Sequence, residues 1–267
     1  MDKAEKKGLL VVSFGTSVNR TREKTIDVIE ADMEAAFPDY TLYRGWTSKM
    51  IIRKLMKRDG VRINTVKEAI ERMIADGVRE AVIQPTHVIN GIENEQMKED
   101  VLAYQDHFAS VHFGTPLLTS EEDSAEVIQA VMAEHANLPK EDALVLMGHG
   151  TTHYANSIYA ALDYKFKDMG YHNVFLGTVE AYPSMETLME QVCAYGAGRV
   201  TLAPFMVVAG DHALHDMSGA DQDSWKCRFE AVGFQVDCVL KGLGEYPGIR
   251  RLYVRHAKEA FLQESER

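Results

Sequence analysis

The sequence predicts an α/β protein with two similar domains, each a parallel β-sheet flanked by helices, and a cleft between the domains. Two observations support this fold class. Short apolar runs alternate with segments of helical periodicity along the whole chain, which is typical of βαβ units. An apolar run that ends at a Gly-Thr turn also occurs twice, at residues 8–17 and 143–152. The repeat indicates that the second half duplicates the first.

In each half the elements follow one plan. Continuous apolar runs predict strands buried on both faces, and apolar residues every three or four positions predict helices. In the first half we predict strands at 9–14, 41–46, 81–83 and 110–113, and helices at 20–37 and 61–77. In the second half we predict strands at 143–147, 174–176, 200–202 and 234–239, and helices at 154–169, 184–195 and 248–262.

These elements divide the chain into three parts. Residues 1–120 form the predicted N-terminal α/β domain, and the acidic segment 121–142 is a predicted helical connection. Residues 143–267 form the C-terminal α/β domain, which would carry the metal site. The sequence leaves open whether the last helix packs on the N-terminal domain instead.

Composition excludes several classes of protein. No apolar stretch of about 18 residues is present, so we expect no membrane partner. The net charge of −11 argues against nucleic-acid binding. The start of the chain lacks the apolar core of a signal peptide, and three scattered cysteines suit a reducing compartment. We therefore expect a cytoplasmic protein, with a homo-oligomer left open.

Three potential metal ligands follow successive strands of the second half. His149, Glu180 and His212 each come after a predicted strand, at intervals of 31 and 32 residues. Because parallel strands end at one edge of a sheet, these side chains could converge there. Two imidazoles and a carboxylate suit Co²⁺, Fe²⁺, Ni²⁺ or Zn²⁺. The simplest alternative is that each histidine only hydrogen-bonds within its own turn.

The first half lacks a matching set. Phe14 stands where the repeat has His149, and Glu93 aligns with His212. His153 and His215 are most simply helix-start or surface residues, though either could lie near the site, and His215 is the alternative to His212. His87 follows the third strand of the first half. Met206 and Met217 are candidates to line a cleft, because methionine adapts to large flat ligands.

Four motifs resemble the anaerobic cobalt chelatases of the CbiK type, which belong to the class II chelatases. They are Ser-Phe-Gly-Thr-Ser at 13–17, Gln-Pro-Thr-His at 84–87 with Gly-Ile-Glu-Asn-Glu at 91–95, Met-Gly-His-Gly-Thr at 147–151, and Gly-Asp-His-Ala at 210–213. The resemblance spans nearly the whole chain. It implies Co²⁺ insertion into sirohydrochlorin without a nucleotide, an early step of anaerobic cobalamin synthesis. The family's metal ligands fall on His149, Glu180 and His212.

This resemblance gives the residues roles. His149 would bind the metal and accept a pyrrole proton, and Glu93 would relay a second proton or help to bend the ring. The residues expected to bind the tetrapyrrole are Phe14, Gly15, Thr16, His87, Gly150, Thr151, Met206 and Met217. Their turns offer backbone N–H groups to its carboxylates, and the cations that could add to them are Arg20, Arg22, Arg44 and Lys49.

Other functions remain open at this point. Fe²⁺ or Ni²⁺ could replace Co²⁺, as in a sirohydrochlorin ferrochelatase for sirohaem synthesis. A metal or tetrapyrrole carrier would bind without catalysis. A metal-dependent hydrolase would use the same three ligands around an activated water.

Overall fold

The computed structural model describes residues 5–262, which fall into two compact units. Unit 1 runs up to Thr119 and resumes at Ile249, and unit 2 is Ser120–Gly248. Residues 1–4 and 263–267, which lie at the outer ends of the two predicted domains, are outside the described residues. So is part of the N-terminal segment on which the expected absence of a signal peptide rests.

Unit 1 is built on a parallel four-stranded sheet. Up to Thr119 its strands and α-helices are β1 Lys6–Ser13, α1 Asn19–Lys24, α2 Ile26–Ala36, β2 Tyr40–Trp46, α3 Lys49–Asp59, α4 Val66–Ala75, β3 Val78–Pro85, α5 Ile92–Leu102 and β4 Ser110–Phe113. The strand order is β2-β1-β3-β4, and every pairing is parallel. The central strand β1 is buried on both faces from Leu9 to Val12, as its continuous apolar run predicts.

Unit 2 repeats this topology. Its elements are α6 Glu121–Glu134, β5 Ala143–Gly148, α7 Ser157–Asp168, β6 Val174–Thr178, α8 Met185–Tyr195, β7 Arg199–Pro204, α9 Trp225–Ala231 and β8 Gln235–Cys238. The strand order β6-β5-β7-β8 corresponds position by position to that of unit 1. The predicted fold class, two similar parallel sheets flanked by helices, is confirmed. The predicted cleft stays a prediction.

The last helix, α10 Pro247–Glu259, packs in unit 1. The Tyr253 hydroxyl donates to the Thr86 carbonyl at 2.8 Å, and Arg250 pairs with Asp32 at 2.6 Å. The structure therefore assigns this helix to the N-terminal side, the alternative that the sequence left open. The predicted connection 121–142 lies within unit 2, where α6 buries Val127.

The helices differ from the sequence predictions in two ways. The helix predicted at 20–37 is divided into α1 and α2 at Thr25, whose hydroxyl donates to the Thr21 carbonyl at 2.7 Å and competes with the helical backbone. Helices α3, α5 and α9 were not predicted. In α3 the apolar residues Ile51, Ile52 and Leu55 share one face, but charged residues make up more than half of this short helix and mask the pattern.

No helix among the described residues is long and apolar enough to cross a membrane.

A tight turn follows β1 and depends on glycine. Gly15 has φ of +100°, and a Cβ added there would lie 2.4 Å from Cε3 of the buried Trp46. The Trp46 ring packs against the backbone of this turn, so the turn can keep its shape only without a side chain at position 15. Gly233 has nearly the same φ, +99°, but open space around it.

We expect Gly15→Ala to destabilise the protein more than Gly233→Ala. Both changes force alanine into a left-handed backbone, which costs about 1–2 kcal/mol. Only Gly15→Ala adds overpacking against Trp46, worth about 1–3 kcal/mol more. Urea unfolding followed by circular dichroism measures the difference. Equal losses in the two variants would contradict the role given to the Trp46 contact.

Candidate metal centre

The three predicted ligands of unit 2 come together at one edge of its sheet. His149 directly follows β5, Glu180 follows β6, and His212 lies beyond β7. Their ligand atoms all lie within 4.8 Å of one another, and we call these three residues the His-Glu-His cluster. His149 and His212 are half-buried, and Glu180 is exposed. In the described part of the chain no other group of three His, Cys, Asp or Glu side chains is arranged this way.

Backbone hydrogen bonds beyond the strand ends hold two of the ligands. The Val179 amide donates to the Gly148 carbonyl, and the Glu180 amide donates to the His149 carbonyl, both at 3.0 Å. These bonds extend the β5–β6 ladder to the ligand residues themselves. Gly150 has φ of +84°, and a Cβ there would lie 2.9 Å from the Ala181 amide nitrogen. Glycine therefore lets the chain turn sharply away after His149.

The hydrogen bonds of the two imidazoles define their tautomers. His149 Nδ1 lies 2.8 Å from the Gly150 carbonyl oxygen, and His212 Nδ1 lies 2.6 Å from Asp216 Oδ2. A carbonyl and an ionised carboxylate only accept, so each Nδ1 carries the proton. In the neutral form of each ring, Nε2 is then the nitrogen with the lone pair that a metal needs. The rings lie edge to face, with centroids 4.8 Å apart.

Glu180 is the third potential donor, and the three donors together leave coordination positions of a metal ion unfilled. Its Oε2 lies 3.9 Å from His149 Nδ1, too far for a hydrogen bond, so the carboxylate is free to meet a cation. Two imidazoles and one carboxylate leave coordination positions open on a divalent metal, as a site that receives and releases an ion requires. Borderline nitrogen donors with one oxygen suit Co²⁺, Fe²⁺, Ni²⁺ and Zn²⁺ alike.

The two other histidines considered near the site have contacts of their own. His153 accepts a hydrogen bond from the Ala155 amide at 3.2 Å and caps the short 3₁₀ turn that precedes α7. His215 Nδ1 pairs with the Asp211 carbonyl at 3.0 Å. Neither belongs to the His-Glu-His cluster. The ligand choice made from the sequence therefore agrees with the geometry, while metal binding itself stays a prediction.

Three other residues predicted in this half have different surroundings. The Thr151 amide already donates to Asn156 Oδ1 at 3.0 Å, so it is not available to a substrate carboxylate in this structure. Met206 is partly exposed and packs against the core. Met217 is fully buried in that core and presents no surface to a ligand. The prediction that Met217 contacts the substrate is therefore wrong for this structure, because its side chain packs into the core and does not reach the surface.

In unit 1 the predicted residues lie in the turn after β1, in the loop after β3 and in the first turn of α5. Phe14 is exposed, whereas Thr16 is buried and its hydroxyl accepts from the Val18 amide at 3.2 Å. Glu93 is exposed in the first turn of α5. Two of the four predicted cations are already paired within the unit, since Arg22 contacts Asp27 and Arg44 contacts both Asp27 and Glu30.

His87 has a buried imidazole whose nitrogens make no hydrogen bond of good geometry, although the Asn94 side chain lies beside it. The residue is partly exposed overall, but neither Nδ1 nor Nε2 is accessible or hydrogen-bonded, and Asn94 Oδ1 is in the same condition. Burial lowers the pKa of His87 to about 4, because desolvation disfavours the imidazolium, and the negative charge of Glu93 and the neighbouring Asn94 side chain oppose this shift. His87 is therefore neutral near pH 7.

One residue in contact with the cluster was not predicted. Asp216 accepts the hydrogen bond from His212, and the two stand four residues apart. A histidine followed by an aspartate at this spacing on a helical turn was the signal available in the sequence. Asp216 was missed because only residues close to the strand ends were considered, and only as metal ligands.

We expect the stability of the protein to fall between pH 7.5 and pH 5 in part because of His87. The unfolded histidine titrates near pH 6.5 and the folded one near pH 4, so protons favour the unfolded chain as the pH falls through this window. The loss attributable to His87 is about 2 kcal/mol at pH 5.

Urea unfolding at both pH values measures this loss. His87→Gln should lose about 2 kcal/mol less than the wild type over the interval, and His172→Gln, at an exposed position, serves as the control. The same pH dependence in all three proteins would show that His87 is not the group responsible.

Comparison with known proteins places the whole chain in one family. A model described as cobalt chelatase (CbiK) matches residues 7–262. The sirohydrochlorin cobaltochelatase of Salmonella typhimurium (strain LT2) is 42% identical over 255 residues, which cover 96% of both chains. The sirohydrochlorin cobaltochelatase CbiKC of Nitratidesulfovibrio vulgaris (strain Hildenborough) is 31% identical over 258 residues, covering 96% of this chain and 90% of that protein.

A solved structure shares the fold at much lower identity. The crystal structure of the sirohydrochlorin chelatase SirB from Bacillus subtilis subspecies spizizenii in complex with cobalt matches with a TM-score of 0.66 at 12% identity, covering 98% of each chain. This likeness supports the α/β architecture. The family model and the two relatives match almost the full length of the sequence. This chain therefore belongs to the cobalt chelatase (CbiK) family.

Proposed function

We propose that this protein is a sirohydrochlorin cobaltochelatase, which inserts Co²⁺ into sirohydrochlorin. The observation that carries the proposal is the His-Glu-His cluster, an open set of three ligands for a divalent metal. Two relatives that cover 96% of this chain carry that enzyme's name. Co²⁺ is a substrate in this reaction, so the protein must release the ion as well as bind it.

Insertion of the metal exchanges one Co²⁺ ion for two protons of the macrocycle. Each Co²⁺ that enters the macrocycle displaces two pyrrole protons, so a base must accept protons while the metal leaves its protein ligands. His149 Nε2 has a single lone pair, because Nδ1–H is held by the Gly150 carbonyl. It therefore cannot bind metal and proton together. In the proposed sequence His149 first binds Co²⁺ and accepts a pyrrole proton as the ion passes to the ring.

Glu180 and His212 have a second task in this scheme. They would keep Co²⁺ bound near the ring while His149 releases the ion and takes up a proton, so that the ion does not become fully hydrated again. The exposed carboxylate of Glu93 is the proposed acceptor for the second proton. Distortion of the ring by remote contacts would expose the pyrrole nitrogens and lower the barrier.

Residues of unit 1 offer contacts for the substrate. Phe14 presents an exposed ring, and Arg20 and Lys49 are exposed cations near the start of α1 and α3. Sirohydrochlorin carries many carboxylates, so exposed cations would favour its binding. Arg22 and Arg44 are less suited because carboxylates of the protein already neutralise them.

The finer parts of the proposal follow from the resemblance. We propose that insertion needs no nucleotide and supplies anaerobic cobalamin synthesis. The sequence contains neither a Walker loop nor a Gly-x-Gly-x-x-Gly motif. Three unpaired cysteines agree with a reducing compartment such as the cytoplasm. The donor set accepts Fe²⁺ and Ni²⁺ as well, so metal preference needs a direct measurement.

The purified protein should accelerate metallation of sirohydrochlorin by Co²⁺. The absorbance change on metallation, recorded without oxygen, gives the rate with and without protein. Parallel reactions with Fe²⁺ and Ni²⁺ give the kcat/KM for each metal. A rate no higher than the uncatalysed one would contradict the proposal and leave a carrier function.

Substitution of the two cluster histidines should abolish most of this activity. We expect His149→Ala and His212→Ala each to lower kcat/KM by about 100-fold or more, because each removes a metal ligand and His149 is also the proposed base. His215→Ala, three residues beyond His212, is the control and should keep near wild-type activity. Loss of activity in His215→Ala together with retention in His212→Ala would reverse the assignment.

A further inference from the structure

His212 differs from His149 in the group that holds its ring. The partner of His149 Nδ1 is the neutral carbonyl of Gly150, at 2.8 Å. The partner of His212 Nδ1 is the carboxylate of Asp216, at 2.6 Å. A hydrogen bond to a charged acceptor is shorter and stronger than one to a neutral acceptor. The two imidazoles of the cluster are therefore not equivalent ligands.

The backbone around Asp216 has an unusual form. Residues Ala213–Met217 make a π-helical turn, a wide turn that is frequent at functional sites. The Ser218 amide donates to the Ala213 carbonyl five residues earlier at 3.2 Å, and the Ser218 hydroxyl donates to the same oxygen at 2.8 Å. Ala213 and Met217 are fully buried and anchor the turn in the core of unit 2.

This turn sets the distance between His212 and Asp216. Each of these residues directly precedes one of the buried anchors, Ala213 and Met217, so the core fixes both backbone positions. Asp216 does not belong to the His-Glu-His cluster. Its contact with the metal ligands runs through the His212 ring.

We infer that Asp216 is a positioning residue that fixes the orientation and tautomer of His212 and makes it the tighter of the two histidine ligands for Co²⁺. This inference rests on the proposed function, in which the cluster binds the metal substrate. A carboxylate on the remote nitrogen keeps the proton on Nδ1, prevents ring rotation and makes Nε2 a stronger donor. His149, held by a carbonyl, is the ligand that exchanges more easily.

The first test is Co²⁺ binding without tetrapyrrole. Isothermal titration of the wild type, Asp216→Asn and Asp223→Asn gives Kd for Co²⁺. Asp216→Asn keeps the side-chain shape and removes one charge, and Asp223→Asn removes one charge at an exposed position of the same unit. We expect Kd to rise by about 10–100-fold in Asp216→Asn and by less than about twofold in Asp223→Asn. An unchanged Kd in Asp216→Asn would overturn the inference.

The second test asks whether Asp216 acts through His212. Asp216→Asn is introduced into His212→Ala, and the Kd ratio is compared with that in the wild type. If Asp216 works by holding the His212 ring, the substitution has almost no effect once that ring is gone. An equally large effect in both backgrounds would overturn the inference, since Asp216 would then bind the metal or act by charge alone.

Steady-state kinetics separate a positioning role from a structural one. Asp216→Asn should raise KM for Co²⁺ and leave KM for sirohydrochlorin unchanged. A rise in both constants, or in neither, would overturn the inference, and this comparison decides the matter if His212→Ala binds Co²⁺ too weakly to titrate.

The results also distinguish this inference from the proposed function. If the wild type binds Co²⁺ but inserts none into sirohydrochlorin, the function fails while the two binding tests still decide the role of Asp216. If the wild type inserts Co²⁺ and Asp216→Asn binds it as tightly as the wild type, only the inference fails.

Discussion

The His-Glu-His cluster depends on the parallel hydrogen-bond ladder between β5 and β6. The ladder continues beyond both strands, and its last bond joins the Glu180 amide to the His149 carbonyl. A carboxylate and an imidazole from residues 31 positions apart are thereby held side by side by backbone alone. Because β7 pairs with the other edge of β5, the segment after β7 brings His212 to the same end of the sheet. The strand order thus determines which side chains can meet.

The features that could be predicted from the sequence are those with a recognisable pattern over a few neighbouring residues. The strands were predictable because each is a short apolar run, and the ligands because each lies just past such a run. Helix α3 was missed although Ile51, Ile52 and Leu55 share one face, because charged residues make up more than half of this short segment. The break at Thr25 depends on one side-chain hydrogen bond, which competes with a helical pattern that otherwise continues. The spacing of His212 and Asp216 would have allowed their contact to be predicted, whereas the burial of Met217 arises from a π-helical turn that the sequence pattern does not reveal.

The duplicated halves show how one framework supports different chemistry. Both turns after the central strand use a glycine with positive φ, Gly15 in one unit and Gly150 in the other. The residue before that glycine is Phe14 in unit 1 and His149 in unit 2. Packing constrains the glycines, against Trp46 and against the Ala181 backbone respectively. The preceding side chain is free of that constraint, so the two copies can differ there at no cost to the fold.

The return of α10 to unit 1 has a consequence for synthesis of the chain. Unit 2 is a continuous segment, whereas unit 1 is assembled from both ends of the protein. On the ribosome, the unit with the His-Glu-His cluster is therefore complete while its neighbour still lacks a helix. The Tyr253 hydroxyl, which bonds the Thr86 carbonyl beside His87, arrives only at the end of translation. A prematurely ended chain would thus retain all three residues of the His-Glu-His cluster and lose the support of the loop that contains His87.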